Sequence, residues 1–574
     1  MLGECLDYYR CPLRRHQNIE PAITSPMAAP TPLFSGHKAS TSSIDAPLLA
    51  AAEEHAFELC SLAKGGVSTR RKQQTETSPE VNWAANVHYN AKDVREPATI
   101  RELQKIIASA QNGIRMLGSR HSFSRVADCR GELISASRLA ASAGPIKIDA
   151  RRHTATCSAG ITYAELAAVL QAAGYALHNL ASLPHISVVG AMATATHGSG
   201  IQNGNLTTAL ISCEYIDASG AKRVARDRSK NNFAADDGRS NTLQAVLLGG
   251  LGCITSVTLA IEPTYEVRQD VYLDLPWAIL MESSSLNTLF SEAYSVSVFI
   301  DDYAHPNGAS QLWIKRRVPG ASILEQEPGS PTAKRSVSPP GALKPAVPLL
   351  FGARLAGRRV FDRTGRSPPS FEVKQMHPIA SMAADDCTHQ GEPSGPWNER
   401  LPHFHAEGEP SSRGNELQSE YFVAREDAPR AIAALRSIGT KLKSVLQVSE
   451  LRAVAADAFW LSPCYNRDSI GLHFTWTHDE AYIVREVLPL VEKTLKPFNA
   501  RPHWGKLFTM PPSEVAPLYP KLSEYRELIL QLDPNGVFRN EFIERYIMAP
   551  HVHKTEDGEF GVASLCSRTY PFEF

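Results

Sequence analysis

The segment Leu117-Gly118-Ser119-Arg120-His121-Ser122-Phe123 directly follows the apolar run 114–117, which is typical of a β-strand. Gly118 permits backbone conformations that a side chain would forbid, and His121 lies on the loop that this glycine predicts. Ligands bind at strand ends in α/β folds, so this loop is the first candidate binding site. Taken alone, a histidine after a glycine is more often a surface or capping residue. Evidence from the rest of the chain is needed to distinguish a ligand-binding histidine from a surface or capping one.

Length and composition limit the possible classes of protein. The chain has 574 residues, too many for one hydrophobic core, which predicts two or three domains. The formal net charge of -1 gives no field that would attract nucleic acid or an anionic membrane, and it suits small neutral substrates. No apolar run approaches the roughly 20 residues of a membrane-spanning helix. The ten cysteines are scattered, which indicates reduced, packed thiols in an intracellular, cytoplasmic protein.

Three stretches lack the periodicity of folded elements. Residues 1–80 are rich in Pro, Ser, Thr and Ala and are predicted to form a disordered extension or an organelle-targeting segment. Residues 319–369, rich in Pro, Gly, Ser, Lys and Arg, are predicted to be a loop insertion. Residues 551–574 form a polar tail without a recognisable signal.

Two capping boxes mark helix starts in the first half of the chain. Thr99 with Glu102, and Thr162 with Glu165, each precede apolar residues at helical spacing. The stretch 179–200 that follows is dense in small residues. Small residues let a backbone approach a ligand closely, but they equally permit close packing of a helix on a sheet. Both interpretations stay open from the residues alone.

Two alternating segments lie in the second half. In the strand-like run 450–454, Glu450 and Arg452 share one face, because strand side chains alternate in direction. In the run 472–476, His473 and Thr475 share one face and large apolar residues fill the other. One interpretation is an antiparallel sheet with its polar side in water. The other is one wall of a polar pocket, with four groups able to bind hydroxyls.

Two further features are ambiguous. Lys506 follows Trp504 and Gly505, either as a solvated charge or as a cation held against a ligand. The histidines and the cysteine between positions 377 and 405 fit no familiar zinc pattern. No metal site is therefore predicted.

Five motifs occur together in a fixed order. They are Gly118-Ser119-Arg120-His121-Ser122-Phe123, Ala181-Ser182-Leu183-Pro184-His185, the run 193–200, Glu450-Leu451-Arg452 and His503-Trp504-Gly505-Lys506. Their joint order resembles the vanillyl-alcohol-oxidase-type FAD flavoproteins and, within these, the alditol (xylitol) oxidases. The similarity extends from about residue 82 to residue 547, interrupted by the insertion. Arg120 departs from the pattern, because some relatives have glycine there.

The resemblance implies an α+β fold with two domains. A two-subdomain FAD-binding PCMH-type domain is expected over residues 81–265, and a cap domain with an antiparallel sheet flanked by helices over 266–489. The cap would carry the insertion. Residues 490–550 would return to the FAD side. A monomer is expected.

The resemblance also assigns residues by position. His121 would carry the flavin covalently through its 8α-methyl group. The residues expected to bind FAD are Leu117, Gly118, Ser119, Arg120, His121, Ser122, Ser182, Ser187, Gly190, Thr194, Ala195, Thr196, His197, Ile254 and His473. Those expected to bind the substrate are Ser182, Glu450, Arg452, His473 and Lys506. Those expected in catalysis are Arg452, Lys506, Glu450 and Thr475.

The implied activity is oxidation of the primary alcohol of an alditol such as xylitol or sorbitol to the aldose. Hydride transfer to flavin N5 would be followed by reoxidation with O2, giving H2O2. Arg452 and Lys506 suit the negative charge that develops on the substrate oxygen, and Lys506 would act as the base only if burial or Arg452 lowers its pKa. Two alternatives stay open. One is an aldonolactone oxidase or dehydrogenase of the ascorbate type, acting on D-arabinono-1,4-lactone or L-gulonolactone; the other is a flavin-binding protein without turnover.

Overall fold

The computed structural model describes residues 81–142, 146–226, 247–318, 351–360, 370–408, 414–549, 553–554 and 560–561. All of them lie within one compact unit, residues 53–574. The predictions for residues 1–80 and for most of the tail 551–574 fall outside the described residues. Within the described part of the chain, no helix combines the length and apolar character that crossing a membrane requires.

The strand that precedes His121 belongs to a parallel three-stranded sheet. In spatial order its strands are Asp93–Arg95, Glu132–Ser135 and Ile114–Leu117. The helix Ile100–Ser109 connects the first strand along the chain to the second and buries Leu103 and Ile107 in the core. Parallel strands present ligand-binding loops at their carboxyl ends. The loop 118–123 therefore begins at such an end, as the sequence predicts.

A five-stranded antiparallel sheet lies next along the chain. In spatial order its strands are Ile146–Asp149, Thr154–Ser158, Cys253–Ala260, Leu210–Ile216 and Lys222–Arg226. Val257 and Leu259 of its central strand are buried, whereas the residue between them is partly exposed. This alternation fits a sheet with one face on the core.

The helix Ile100–Ser109 begins at a partial capping box. The Thr99 side chain accepts a hydrogen bond from the Glu102 amide, as the sequence predicts. The Glu102 carboxylate, however, accepts from the amide of Ala98 at 2.7 Å instead of from that of Thr99. The box predicted here is therefore only half formed.

Thr162→Ala is expected to lower the free energy of unfolding by about 1 kcal/mol, because it removes a complete capping box. Thr162 Oγ1 accepts from the Glu165 amide at 3.2 Å, and the Glu165 carboxylate accepts from the Thr162 amide at 2.9 Å, at the start of the helix Tyr163–Ala172. Thr162→Ser retains the hydroxyl and is the matched control. Urea unfolding measures both variants, and equal losses in the two would contradict a capping role for the hydroxyl.

The largest element is a nine-stranded antiparallel sheet. In spatial order eight of its strands are Arg354–Leu355, Glu266–Pro276, Gly308–Val318, Ser295–Ile300, Leu446–Val454, Ser469–Trp476, Leu417–Ala424 and Arg501–Pro502. The ninth, Gly391–Pro396, also pairs with Glu266–Pro276. Helices Ser283–Ser291 and Ala428–Ser437 pack against strands of this sheet. The side chains on its polar face contribute to the site described below.

Most of the remaining helical segments are short, and the longest is Leu522–Leu532, with 11 residues. The other helical segments are Arg125–Ala127, Ser137–Ser142, Val188–Ala193, Leu206–Ala209, Leu247–Gly249, Trp277–Met281, Trp397–Glu399, Arg425–Asp427, Gly439–Leu442, Glu480–Tyr482, Ile483–Val487, Leu488–Leu495, Lys496–Phe498, Pro512–Val515, Ala516–Leu518, Leu522–Leu532, Glu541–Ile543 and Glu544–Met548. Three strand pairs complete the structure: Tyr175–Ala176 with Glu262–Pro263, Gly357–Val360 with Ser370–Val373, and His553–Lys554 with Phe560–Gly561.

The predicted insertion differs from expectation at its described end. Arg354–Leu355 extends the nine-stranded sheet by pairing with Tyr272 and Leu273, and Gly357–Val360 forms an antiparallel pair. The prediction of a loop is therefore wrong for these residues, while 319–350 and 361–369 lie outside the described residues. Strands this short carry too few residues to show an alternating pattern in the sequence.

The cysteines that the structure describes are all buried and free, which confirms the prediction of packed thiols for these six. They are Cys129, Cys157, Cys213, Cys253, Cys387 and Cys464.

Candidate active site

A cavity of about 1290 Å³ lies among the loop 118–123, the small-residue stretch 181–197 and the polar face of the nine-stranded sheet. Many of its lining residues therefore belong to segments that the sequence singled out. The small residues line a cavity as well as packing in the core, which favours the interpretation of close approach to a ligand.

Backbone contacts hold the loop 118–123 from two directions. The Trp83 amide donates to Arg120 O at 2.9 Å, and the Phe123 amide donates to Gly505 O at 2.8 Å. Arg120 has a φ of 63°, in the left-handed region that glycine adopts at least cost. The glycine of some relatives suits this backbone, and Arg120 adopts the same conformation at a steric cost.

Two glycines and one serine form a cradle in the cavity wall. A Cβ at Gly118 would lie 2.4 Å from Ser187 Oγ, and a Cβ at Gly190 would lie 2.5 Å from the same atom. The absence of these two side chains makes room for the Ser187 hydroxyl between the two backbones. Ser187 Oγ is buried and has no hydrogen-bond partner among the described residues. Buried hydroxyls are normally satisfied, so this one is available to whatever fills the cavity.

His121 lines the cavity between two aromatic rings. Its ring centroid is 5.2 Å from that of Trp83 and 6.1 Å from that of His185. Burial, and secondarily the charge of His185, lowers the pKa of His121 to about 4. The imidazole is therefore neutral near pH 7, and one ring nitrogen keeps its lone pair.

On another wall, three neighbouring strands place titratable side chains in one row. Glu450 pairs in register with His473, and His473 pairs with Glu420 on the next strand. Arg452 lies two residues after Glu450 and Thr475 two residues after His473, so both side chains lie on the same face as the row. All five residues line the cavity. The structure thus favours a pocket wall over a sheet with its polar side in water.

Glu450 is surrounded by donors. Arg452 Nε donates to Glu450 Oε1 at 2.6 Å, and Arg452 Nη2 donates to Glu450 Oε2 and to Ser182 Oγ. His403 Nε2 donates to Glu450 Oε1 at 2.9 Å, while His403 Nδ1 accepts from Lys315 Nζ at 3.1 Å. Burial alone would raise the pKa of Glu450, but Arg452 and then His403 hold it well below its usual range. Glu450 is therefore an ionised acceptor.

Lys506 is held by a second carboxylate. Its Nζ donates to Glu420 Oε2 at 2.6 Å and to His473 Nδ1 at 2.6 Å. His473 Nε2 in turn donates to Thr475 Oγ1 at 3.2 Å. Burial lowers the pKa of Lys506, Glu420 opposes this shift and Arg452 adds to it, so that the pKa lies below its ordinary value. This is the direction of pKa shift that proton transfer to this lysine would require.

The cavity wall gathers almost every residue singled out from the sequence. All of the residues expected to bind cofactor or substrate, or to act in catalysis, line it except Ala195, which is buried with a φ of 55°. The lining residues that had been given no role include Glu420, His403 and His185. The alternation of Gln418, Glu420 and Phe422 within one strand is a signal that points to Glu420.

The histidines between positions 377 and 405 have other partners. His403 bonds to Glu450, and His377 Nδ1 accepts from the Ile379 amide at 3.0 Å. Among the described residues, no group of three or more His, Cys, Asp or Glu side chains is arranged to hold a metal ion.

Comparisons with known proteins agree with this geometry. Residues 91–225 match the FAD binding domain family, and residues 414–546 match the D-arabinono-1,4-lactone oxidase family. The crystal structure of cholesterol oxidase from B. sterolicum superimposes with a TM-score of 0.58 at 14% identity, covering 81% of this chain and 96% of that chain. The fold and the site thus define an FAD-binding oxidoreductase of the vanillyl-alcohol-oxidase type, and the predicted α+β fold is confirmed.

Two curated relatives narrow the assignment. An alditol oxidase from a Streptomyces species is 38% identical over 466 residues, covering 80% of this chain and 97% of that protein. L-Gulonolactone oxidase from Bos taurus is 22% identical over 480 residues, covering 81% of this chain and 97% of that protein. The chain belongs to the alditol oxidase family. Because it is an oxidoreductase, the alternative of a flavin-binding protein without turnover is not retained.

The cradle fits the cofactor that this family binds. Gly118, Gly190 and Ser187 all lie within the segment matched to the FAD binding domain. They provide closely approaching backbone and an unpaired buried hydroxyl that a bound cofactor could satisfy.

Proposed function

We propose that this enzyme oxidises the primary alcohol of an alditol to the aldose, with O2 as the electron acceptor and H2O2 as the second product. One observation carries the proposal: a wall bearing Glu450, Arg452, His473 and Lys506 faces into the same cavity as the FAD cradle. The 38% identity to an alditol oxidase supports it.

In this proposal residues 81–265 and most of 490–550 form the FAD side, and 266–489 form the cap, to whose nine-stranded sheet Arg501–Pro502 adds a strand. FAD, when bound, supplies the two-electron acceptor for the alcohol carbon. The loop 117–122, the small-residue stretch from Ser182 to His197, and Ile254 would hold it, and His121 would attach it covalently.

Glu450, Arg452 and Ser182 position the hydroxyls of the substrate. Arg452 Nη2 donates to both Glu450 and Ser182, so the three polar groups are already held together before a polyol enters. The ionised Glu450 accepts hydrogen bonds from substrate hydroxyls, and Arg452 stabilises negative charge on the reacting oxygen. Preorganisation of these groups reduces the reorganisation that the reaction requires.

Lys506 is the proposed acceptor of the hydroxyl proton. Its hydrogen bonds to Glu420 and His473 use two amine hydrogens, so the deprotonated amine keeps a lone pair and leaves neither partner unsatisfied. Burial, followed by the charge of Lys506, lowers the pKa of His473. His473 is then a neutral ring that accepts from Lys506 and donates to Thr475, which fixes the direction of the lysine.

The same groups favour polyols over simple alcohols. Each polar side chain in the wall can pair with a substrate hydroxyl, and an alcohol without additional hydroxyls would leave buried polar groups unpaired. Such unpaired groups produce strong discrimination.

Oxidation of an aldonolactone is the second candidate. The match of residues 414–546 to the D-arabinono-1,4-lactone oxidase family favours it, as does the similarity to L-gulonolactone oxidase. Glu450 and Arg452 lie inside that match and can bind lactone hydroxyls equally well. Ala181, next to Ser182, is a small cavity-lining residue that bears on the approach of oxygen.

Xylitol or sorbitol is expected to bleach the flavin absorbance of the anaerobic enzyme, because electrons leave the alcohol carbon for the cofactor. Admission of air is expected to restore the absorbance with formation of H2O2. L-Gulonolactone and D-arabinono-1,4-lactone, tested with O2 and with dye acceptors, are the comparison. Bleaching by a lactone and by no polyol would favour aldonolactone oxidation over alditol oxidation.

A further inference from the structure

Glu420 lies at the centre of a cluster whose arrangement the proposed mechanism leaves unexplained. Its side chain is only 2% exposed, although carboxylates are rarely buried without partners. Lys506 Nζ lies 2.6 Å from Glu420 Oε2, and His197 Nε2 lies 2.9 Å from Glu420 Oε1. Each oxygen of the Glu420 carboxylate thus has a different side chain as its hydrogen-bond partner.

We propose that Glu420 is a positioning residue that sets the pH at which Lys506 releases its proton. The kinetic consequence rests on the proposed function, in which Lys506 accepts the hydroxyl proton. The coupling of charge between Glu420 and Lys506 rests on the structure alone.

Glu420 acts on Lys506 through its charge. Opposite charges 2.6 Å apart in a buried site interact strongly, because the surroundings screen them far less than water does. The carboxylate therefore favours the ammonium form of Lys506, whereas burial and Arg452 favour the neutral amine. The other titratable groups around Lys506 are Glu450 and His473 on neighbouring strands and His503 on its own turn.

His197 gives Glu420 a second hydrogen-bond partner. The Nδ1 atom of His197 lies 2.8 Å from Gly198 O, and its Nε2 atom lies 2.9 Å from Glu420 Oε1. The carboxylate therefore keeps one side-chain partner in either protonation state of Lys506.

Gly471, which pairs with Phe422 on the adjacent strand, leaves room for both Glu420 and His197. A Cβ at this position would lie 3.0 Å from Glu420 Oε1 and 3.4 Å from His197 Cε1, closer than most side chains approach.

The test measures the titration of Lys506 in the flavin-loaded enzyme by ¹³C NMR of lysine labelled at Cε. The resonance is assigned by its absence from Lys506→Met. Glu420→Gln retains the shape of the side chain and removes its charge, so the midpoint of Lys506 is expected to move to lower pH by about one to three units. The rising limb of xylitol-driven flavin reduction against pH is expected to move in the same direction by the same amount.

Glu492→Gln is the matched control. Glu492 is a half-buried carboxyl that accepts from the Tyr421 hydroxyl at 2.8 Å, and Tyr421 follows Glu420 with its side chain on the opposite face of the strand. Its replacement is expected to leave the Lys506 midpoint in place. Glu420→Asp retains the charge at a greater distance, and a smaller shift in the same direction is expected.

The outcomes separate the two proposals. An unchanged Lys506 midpoint in Glu420→Gln, or in Glu420→Asp if the first variant does not fold, would overturn the role of Glu420. A shifted midpoint in an enzyme that no polyol reduces would support the coupling and refute the proposed function. A shifted midpoint with an unshifted rate profile would show that Lys506 does not accept the proton.

Discussion

Lys506→Met is expected to slow flavin reduction by about a hundredfold to ten-thousandfold, the contribution typical of a positioned base. Methionine fills similar space but has no amine to accept the hydroxyl proton. The Lys506 amine lies between Glu420 and His473 at 2.6 Å from each, so its loss leaves Glu420 Oε2 and His473 Nδ1 without their shared donor. Stopped-flow mixing with xylitol separates the limiting reduction rate from substrate affinity, and the rate is expected to carry most of the loss.

Lys506→Arg separates a base from a fixed positive charge. Arginine keeps the charge but does not give up its proton near neutral pH. The Arg variant is therefore expected to be about as slow as the Met variant, and recovery close to the parent rate would show that charge alone is needed. Lys443→Met, which removes an exposed lysine paired with Asp302 at 2.7 Å, is expected to leave the rate unchanged.

Local alternation was sufficient to predict one part of the wall. Glu450 and Arg452 share a face because side-chain direction in a strand depends only on position along that strand. The same rule placed His473 beside Thr475, with Leu472, Phe474 and Trp476 buried on the other side. These groups needed no knowledge of the tertiary structure to be recognised as one surface.

The same reasoning could not predict which strands pair with each other. Glu420, His473 and Glu450 stand side by side because their strands pair in an order that differs from their order along the chain. Lys315 and His403, which meet at 3.1 Å, come from positions 88 residues apart. No local sequence pattern predicts which segments will pair. The residues that contact Glu450 and Lys506, such as His403 and Glu420, could therefore be identified only from the structure.

The departure at Arg120 has a backbone explanation. Its φ of 63° belongs to the region where glycine is favoured, so the glycine of some relatives and the arginine of this chain satisfy one conformation. The neighbouring His121 keeps its place because the loop is fixed by Trp83 and Gly505 through main-chain hydrogen bonds. The family pattern therefore still predicts a cofactor role for His121 despite the difference beside it.

His121→Ala is expected to abolish covalent retention of the flavin. The pKa of His121 is lowered to about 4, so at neutral pH its ring has an available lone pair with which to form a bond. The cradle of Gly118, Gly190 and Ser187 is unaffected by the substitution. The folded variant is therefore expected to bind FAD reversibly and to lose it on denaturation, whereas the parent retains it.

His185→Ala is the matched control for this test. His185 shares the cavity, its ring lies 6.1 Å from that of His121, and neither of its nitrogens has a partner among the described residues. The intact mass of each denatured protein, together with flavin fluorescence in the denatured band, reports attachment. Loss of the flavin from His185→Ala together with its retention by His121→Ala would show that the covalent bond is formed by His185. Retention of the flavin by both variants would show that neither histidine carries the covalent bond. If the parent protein has no added mass, the flavin is not covalently bound, and the cradle alone would hold FAD.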